Sequence, residues 1–425
     1  MKFTLHGAAQ EVGRSCIEVT SQKNNFLFDC GIKLTENFSD YPKLTHQKEI
    51  NAVFLSHAHL DHSGALPLFN YKGLNCPIYT NKMTKELSKL LLKDSLHVEL
   101  LKEQHPAYNK EHVYNVMDLM KHVPYQKQQT FNDLTFDFQD AGHIPGSAMV
   151  RVTADKKNIV YTGDFNTITS KLLIGTKANF KGIDVLITET TYGDRPHPSR
   201  TGEKEQFLDT VKKTIDKGAS ILIPAFAVGR SQEILLMLKE LKLKVPMYLD
   251  GMSTKVIKTF FNAPQYLTNC GDLKSMLKKV KFVNTEKQRQ EIMKKQGIFV
   301  TTSGMLDGGP IMAYLKHFYF DKDAALLLTG YQADGTNGRL LMEEGNVYLD
   351  GTKIKVKCNY HKFDFSAHVG LDGLKQTVKN FNPEHLILNH GDPGAIQHFA
   401  KWAVETFPHM QVYKPKVEDC IDLKK

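Results

Sequence analysis

His57-Ala58-His59-Leu60-Asp61-His62 puts four side chains able to bind a metal into six residues. They follow directly on the apolar run Ala52-Val53-Phe54-Leu55, which reads as a compact strand holding them at the rigid end of a sheet. Packing explains such a cluster poorly, because each buried imidazole or carboxylate would need its own polar partner. On an extended segment, histidines two apart face the same side, while Asp61 and His62 can turn toward a neighbouring ion. One zinc ion takes three or four protein ligands, so the cluster calls for two ions, with further ligands from distant loops.

Three places further along could supply them. His143 lies in Gly142-His143-Ile144-Pro145-Gly146-Ser147, Asp164 in Thr162-Gly163-Asp164, and His390 in Asn389-His390-Gly391-Asp392-Pro393. Each is either an ordinary turn residue or a ligand offered from a constrained turn.

The surrounding pattern predicts a layered α/β protein. Short strands are expected at Lys2 to Leu5, Ser15 to Val19, Asn25 to Asp29 and Pro77 to Thr80, then a mainly helical stretch from Lys82 to Met120 that includes Leu87, Leu91, Leu100 and Leu101. Strands follow at Leu134 to Phe138, Met149 to Val152, Asn158 to Tyr161 and Val185 to Thr188. After Glu189 the rhythm becomes βαβ-like: helix Glu203 to Asp216, strand Ser220 to Ile223, helix Ser231 to Leu241, then strands at Met247 to Leu249, Ile298 to Thr301 and Ala325 to Leu328. A strand from Lys353 to Cys358, a helix from Leu371 to Phe381, a strand from His385 to Leu388 and a helix from Ile396 to Phe407 close the chain. The middle part reads as an insertion, with the tail returning to the first fold; the expected divisions are 1–190, 191–354 and 355–425.

Composition sets outer bounds. The 425 residues exceed one ordinary core, and 41% hydrophobic with 24% charged residues is a globular content. No apolar run is long enough for a membrane span, and Met1 to Gln10 lacks a signal-peptide pattern. Six scattered cysteines suggest neither a disulfide scaffold nor a thiolate zinc site, which points to a reduced, cytoplasmic protein. A net charge of +9 gives weak support to a polyanionic partner. Gly308-Gly309-Pro310 lacks the lysine and hydroxyl of a phosphate loop, and no Gly-x-Gly-x-x-Gly is placed for a dinucleotide, so no nucleotide cofactor is expected.

Taken together, these motifs resemble the metallo-β-lactamase superfamily, whose core is an αββα sandwich. The middle part resembles the inserted β-CASP domain of its nucleic-acid branch, an α/β unit around a mainly parallel sheet. The matching stretches are Glu189-Thr190-Thr191-Tyr192-Gly193, Gly229-Arg230-Ser231-Gln232-Glu233, Ser303-Gly304-Met305-Leu306, Gly330-Tyr331-Gln332, Gly338-Arg339 and Phe365-Ser366-Ala367-His368. The chain resembles the short archaeal relatives of the cleavage and polyadenylation specificity factor endonuclease, since no additional nucleic-acid module is seen before His6 or after Lys425.

That resemblance implies two Zn2+ ions per chain: His57, His59 and His143 on one, Asp61, His62 and His390 on the other, and Asp164 between them. It implies Asp29 as a supporting carboxylate, with Asp392 where the family's last motif commonly has glutamate. Asp61 or Asp164 would help orient the attacking water. His368 would act as general acid, charged and oriented by Glu189. A histidine at position 390 is similar to the RNA-processing group rather than the DNA-repair group. The implied activity is zinc-dependent hydrolysis of single-stranded RNA, in 3′-end processing or turnover, leaving 5′-phosphate and 3′-hydroxyl ends.

Two alternatives stand beside an endonuclease: a 5′ to 3′ exoribonuclease resembling ribonuclease J, and a non-catalytic RNA-binding partner. Candidate phosphate or RNA contacts are Ser303, Gly304, Tyr331, Arg339 and Ser366. Arg230 reads as structural, and Arg339 as either a salt-bridge or a phosphate residue. Expected partners are single-stranded RNA, a second copy of the chain with the region beyond Val412 as contact, and an RNA-processing complex.

Overall fold

The computed structural model describes residues 1–34, 39–101 and 106–423. It divides into two compact units: Met1–Thr169 with Ile174–Pro196 and Ala367–Lys425, and Ser170–Leu173 with His197–Ser366.

The first unit contains two seven-stranded sheets. One runs in the order Cys420–Asp422, Lys2–Gly7, Cys16–Thr20, Asn25–Phe28, Ala52–Phe54, Ile78–Thr80, Met120–His122; the other in the order Gln411–Tyr413, His385–Asn389, Val185–Glu189, Lys157–Tyr161, Ala148–Ala154, Leu134–Asp140, Gln129–Phe131. Side chains alternate across each strand, and the central strands such as Asn25–Phe28, Ala52–Phe54 and Val185–Glu189 bury apolar residues on both faces. Phe26, Phe28 and Phe54 enter one core with Phe136, Val150, Val185 and Ile387 from the opposite sheet. Their neighbours Leu27 and Val53 pack outward with Leu66, Leu92 and Val113 of the helices. On the far side, Leu186, Leu386 and Leu388 meet Leu374, Val378, Phe399 and Ala403. Three apolar layers in this order are an αββα sandwich.

The returning tail enters this sheet through strict parallel pairing of Val185–Glu189 with His385–Asn389, so Glu189 lies opposite Asn389, next to His390. The helix Leu371–Phe381 forms because Leu371, Leu374, Val378 and Phe381 recur on one face. It ends at Asn382, which takes a left-handed conformation.

The second unit is built on six parallel strands in the order Val280–Val283, Met247–Asp250, Ile298–Thr301, Ile221–Pro224, Ala325–Leu328, Asn359–Lys362. Here too alternation fills both faces. Ile221, Ile298 and Leu327 meet Phe207, Val211 and Leu235, while Leu222, Phe299 and Leu326 meet Ile311, Leu315 and Leu341.

The structure differs from the sequence expectation where patterns were short. The stretch expected to be helical to Met120 resolves into helices Lys82–Leu101 and Lys110–Leu119, then the strand Met120–His122. Residues 102–105 and the side chain of Leu101 lie outside the described residues. The second unit holds five further helices: Ser253–Asn262, Cys270–Leu277, Glu286–Met293, Ile311–Phe318 and Asn337–Glu344. The tail from Gln411 onward, which includes the region beyond Val412, supplies edge strands to both sheets of the sandwich. Among the described residues no helix is long and apolar enough to cross a membrane.

Candidate metal centre

Strand Ala52–Phe54 delivers the chain to Ser56 and His57, and the short helix Leu60–Ser63 then turns Asp61 and His62 inward. This turn packs tightly against the loop after Phe28: a side chain at Gly31 would collide with the carbonyl of Asp61. Gly163 is constrained as well, with φ +52° and Ser56 against it. His143 follows strand Leu134–Asp140, Asp164 follows Lys157–Tyr161, and His390 follows His385–Asn389. All these side chains come from strand ends of the first unit.

They form two groups that share Asp164. His57, His59, His143 and Asp164 each offer a ligand atom, all within 4.8 Å of one another, and so do Asp61, His62, Asp164 and His390. In the first group His57 Nε2 lies 3.2 Å and His143 Nε2 3.1 Å from His59 Nδ1. Asp164 Oδ2 is 3.6 Å from His57 Nε2 and 3.7 Å from His143 Nε2. In the second group Asp164 Oδ2 lies 3.2 Å from His62 Nε2, and His390 Nε2 lies 3.4 Å from Asp61 Oδ2.

The atoms around the groups fix which nitrogen faces in. His143 Nδ1 donates to the carbonyl of Ala367 at 2.9 Å, leaving the Nε2 lone pair free. His62 Nδ1 donates to Asp29 Oδ2 at 2.6 Å. Ser56 Oγ donates to the same oxygen at 2.7 Å, so it can accept from His57 Nδ1 at 3.0 Å. Tyr161 also donates to Asp29 Oδ2, at 2.8 Å. Asp29 thus orients two imidazoles, one directly and one through Ser56, as carboxylates behind metal-bound histidines do. Asp29 and His390 both have positive φ, +57° and +48°. Left-handed backbone at non-glycine residues concentrates at functional positions.

Electrostatics follow from burial and charge. Desolvation holds His57 and His143 well below the usual histidine range, helped by neighbouring imidazoles, so both are neutral and able to donate a lone pair. Burial also lowers His59. For His62 burial is overcome by Asp164, Asp61 and Asp29, which hold it well above its ordinary value. Burial likewise opposes ionisation of Asp61 and Asp164, but His62 and His390 keep both carboxyls below the usual range.

The donor set fits two zinc ions. His62 Nε2, His390 Nε2 and Asp164 Oδ1 are buried without a hydrogen-bond partner. Three imidazole nitrogens pointing at one another cannot all be satisfied by protons. Tetrahedral zinc places its ligand atoms about 3.3 Å apart, close to the separations seen.

Beside these groups, His368 Nδ1 donates to Glu189 Oε2 at 2.9 Å, while Glu189 Oε1 accepts the backbone N–H of Phe165 at 2.8 Å. Burial disfavours the imidazolium, but Glu189 and Asp164 outweigh it and push His368 up to about 9. Asp164, Glu189, His368 and His390 also offer atoms within 4.8 Å of one another.

So all seven expected ligands, Asp29, Glu189 and His368 come together. Asp392 does not: it is exposed at the start of helix Pro393–Thr406, and its side chain makes no cap bond there. Ser303, Gly304, Tyr331, Arg339 and Ser366 belong to the second unit. Ser303 closes a turn with Asp307, Gly304 is buried against Phe226, and the Ser366 carbonyl accepts from Arg200. Arg339 is exposed and pairs with Glu343 at 2.5 Å. Arg230 is structural, buried in an ion pair with Glu233. Sequence reasoning missed Ser56, Tyr161 and Thr191, whose Oγ lies 3.3 Å from His390 Nδ1. Thr191 stood inside a recognised motif, and Tyr161 ends a predicted strand just before Asp164.

A two-metal hydrolase centre on an αββα sandwich is the class this geometry defines. Comparison with known proteins takes it further. The metallo-beta-lactamase superfamily domain matches residues 18–191, the Beta-Casp domain 231–341, and the Zn-dependent metallo-hydrolase RNA specificity domain 353–415. The chain is 39% identical over 416 residues to the probable RNase MJ4 of Methanocaldococcus jannaschii, covering 95% of this chain and 96% of that protein. It is 35% identical over 407 residues to the RNase J-like protein of the same organism, covering 92% of each. To that organism's transcription termination factor FttA it is 32% identical over 460 residues, covering 72% of the factor. A solved protein of unknown function from Enterococcus faecalis shares the fold, with a TM-score of 0.59, 13% identity and 99% of each chain covered. The chain belongs to the metallo-β-lactamase superfamily, with a β-CASP domain, and matches archaeal nucleases of the cleavage-factor-like and RNase J-like kind. Family and metal groups together support a metal-dependent phosphodiesterase.

Proposed function

We propose that the chain is a zinc-dependent ribonuclease that degrades single-stranded RNA from its 5′ end, releasing products with a 5′-phosphate and a 3′-hydroxyl. The observation that carries the chemistry is the pair of four-residue groups joined at Asp164, with the Glu189–His368 pair beside them. Similarity over 92% of both chains to an RNase J-like protein supports the exonucleolytic mode. The match to an RNA specificity domain at 353–415 supports RNA as substrate.

His57, His59, His143 and Asp164 would hold one zinc ion, and Asp61, His62, His390 and Asp164 the other. Bound there, zinc lowers the pKa of water and neutralises phosphate charge. Asp61, whose side chain is one-third exposed, would accept a hydrogen bond from the attacking water and so orient it. As water oxygen bonds to phosphorus, the bond from phosphorus to the 3′ oxygen breaks. His368, kept protonated by Glu189, gives its proton to that departing oxygen.

The test compares circular RNA with linear RNAs of the same sequence carrying a 5′-monophosphate or a 5′-hydroxyl. Mononucleotides released only from the monophosphorylated linear RNA are expected. Rapid opening of the circle would replace this mode with endonucleolytic cutting, and no cleavage of any RNA by zinc-loaded protein would reject the ribonuclease reading.

A further inference from the structure

A second group of metal-binding side chains lies outside the centre described above and shares no residue with it. His6, Glu18 and His46 each offer a ligand atom, all within 4.8 Å of one another. His6 sits on strand Lys2–Gly7 at the point where its register with Cys16–Thr20 slips, between Leu5 and Gly7. Glu18 belongs to that neighbouring strand, paired with Thr4. Phe3, Leu5, Ile17 and Val19 fill the sandwich interior, so Thr4, His6 and Glu18 alternate to the other face of the sheet. His46 arrives from the segment before the short turn Gln47–Glu49.

The three side chains converge by their end atoms. His6 Nε2 lies 2.9 Å from Glu18 Oε2, and His46 Nε2 lies 3.0 Å from both carboxylate oxygens. Glu18 is 4% exposed, and its ion-pair partners among the described residues are these imidazoles, with no lysine or arginine. A buried carboxylate needs compensating positive charge. His6 is 5% exposed, and its other nitrogen, Nδ1, has no hydrogen-bond partner. Two imidazoles and one carboxylate are a zinc-type donor set, and an opening of a few tenths of an ångström brings the ligand atoms to the ~3.3 Å spacing of a tetrahedral site. The side chain of His46 is 36% exposed, so solvent can reach the fourth position.

We infer that His6, Glu18 and His46 form a third, structural binding site for a divalent metal ion of the zinc class, separate from the two catalytic positions. The ion ties the segment around His46 to the strand pair beneath it. That segment leads into Ala52–Phe54, which delivers His57. The strand carrying His6 leads to Ala8, whose carbonyl accepts the N–H of His390 at 2.7 Å. Both approaches to the catalytic groups are thereby anchored away from the reacting atoms.

The test is metal content of the full chain after zinc loading and exhaustive dialysis, with RNA cleavage measured on the same samples. Wild type should retain about one zinc equivalent more than His46→Ala, the variant keeping cleavage within about twofold. Cobalt loading should give a visible difference spectrum between the two proteins, and chelation of the extra equivalent should lower Tm in wild type alone. Should His46→Ala fold poorly, Glu18→Gln, which keeps size and hydrogen bonding, carries the same comparison. Equal metal content, or a blank cobalt difference spectrum, in wild type and the folded variant overturns the site. Loss of cleavage from failure of the catalytic groups would leave that difference in metal content unchanged, so the two conclusions fail separately.

Discussion

Replacing Glu189 by glutamine keeps the shape of its contact with His368 and removes the charge. The contact is a 2.9 Å charge-assisted hydrogen bond, and the His368 side chain is 20% exposed, so solvent screens it only partly. Hydrogen bonds to charged groups contribute ~1.5–3 kcal/mol. At ~1.4 kcal/mol per pKa unit, losing the charge should lower the imidazole by about one to two units. The sign follows from the proton's job. His368 is raised to about 9, so its proton-donating form is present at neutral pH and is lost as pH rises through the folded value. Zinc at the clusters offsets the negative charge of Asp164 and moves both proteins' values down together, leaving the difference between them. The assay is kcat/KM on 5′-monophosphorylated single-stranded RNA from pH 5.5 to pH 9.5, with zinc content measured in parallel. The alkaline limb of Glu189→Gln should begin about one to two units below that of wild type, with activity recovering toward acid pH and zinc unchanged. An equal loss at every pH, with the limb in its original place, would refute the idea that Glu189 acts by charging His368. Zinc lost in the variant would make Glu189 a ligand instead.

Three more outcomes follow from the same contacts. His368→Ala should keep its zinc and slow cleavage about 10²- to 10⁴-fold, read from single-turnover kinetics and metal analysis; normal rates would remove the general-acid role. Asp29→Asn loses the carboxylate that orients His62 and Ser56, so zinc affinity in a chelator competition should weaken about 10- to 100-fold, against no change if Asp29 only packs. In the second unit the buried Glu233 is held ionised, against burial, by Arg230 and Arg200. Arg200→Ala should therefore cost about 2 kcal/mol of stability at neutral pH in denaturant melts, shrinking as pH falls through the depressed Glu233 value, whereas a pH-independent change would deny the ion pair.

Ligand chemistry was legible in the sequence because it is local. His57 and His59 two apart on an extended segment meet at 3.2 Å, and the residues after them do turn toward a second position. Strands with alternating apolar residues on both faces, such as Val185–Glu189, were equally clear. The helix Leu371–Phe381 was found because four buried apolar residues share one face. The helix Glu286–Met293 was missed because none of its residues is buried, leaving no apolar period to read. The strand Met120–His122 was hidden by Lys121 and His122, both exposed at the end of a helical pattern. Contacts across long sequence separations, such as Tyr161 on Asp29 or His46 on Glu18, depend on how strands stack and leave no local mark.

The central claim is metal-assisted attack by water that leaves the phosphate on the 5′ end of the fragment downstream of the cut. Its most direct test is cleavage of single-stranded RNA by zinc-loaded protein in 18O-enriched water, with products analysed by mass spectrometry before and after chelation. The expected result is one 18O in the 5′-phosphate newly formed at each cut, a free 3′-hydroxyl, and no turnover once metal is removed. Unlabelled 2′,3′-cyclic phosphates, 5′-hydroxyl ends, or undiminished cleavage by the chelated protein would contradict the account.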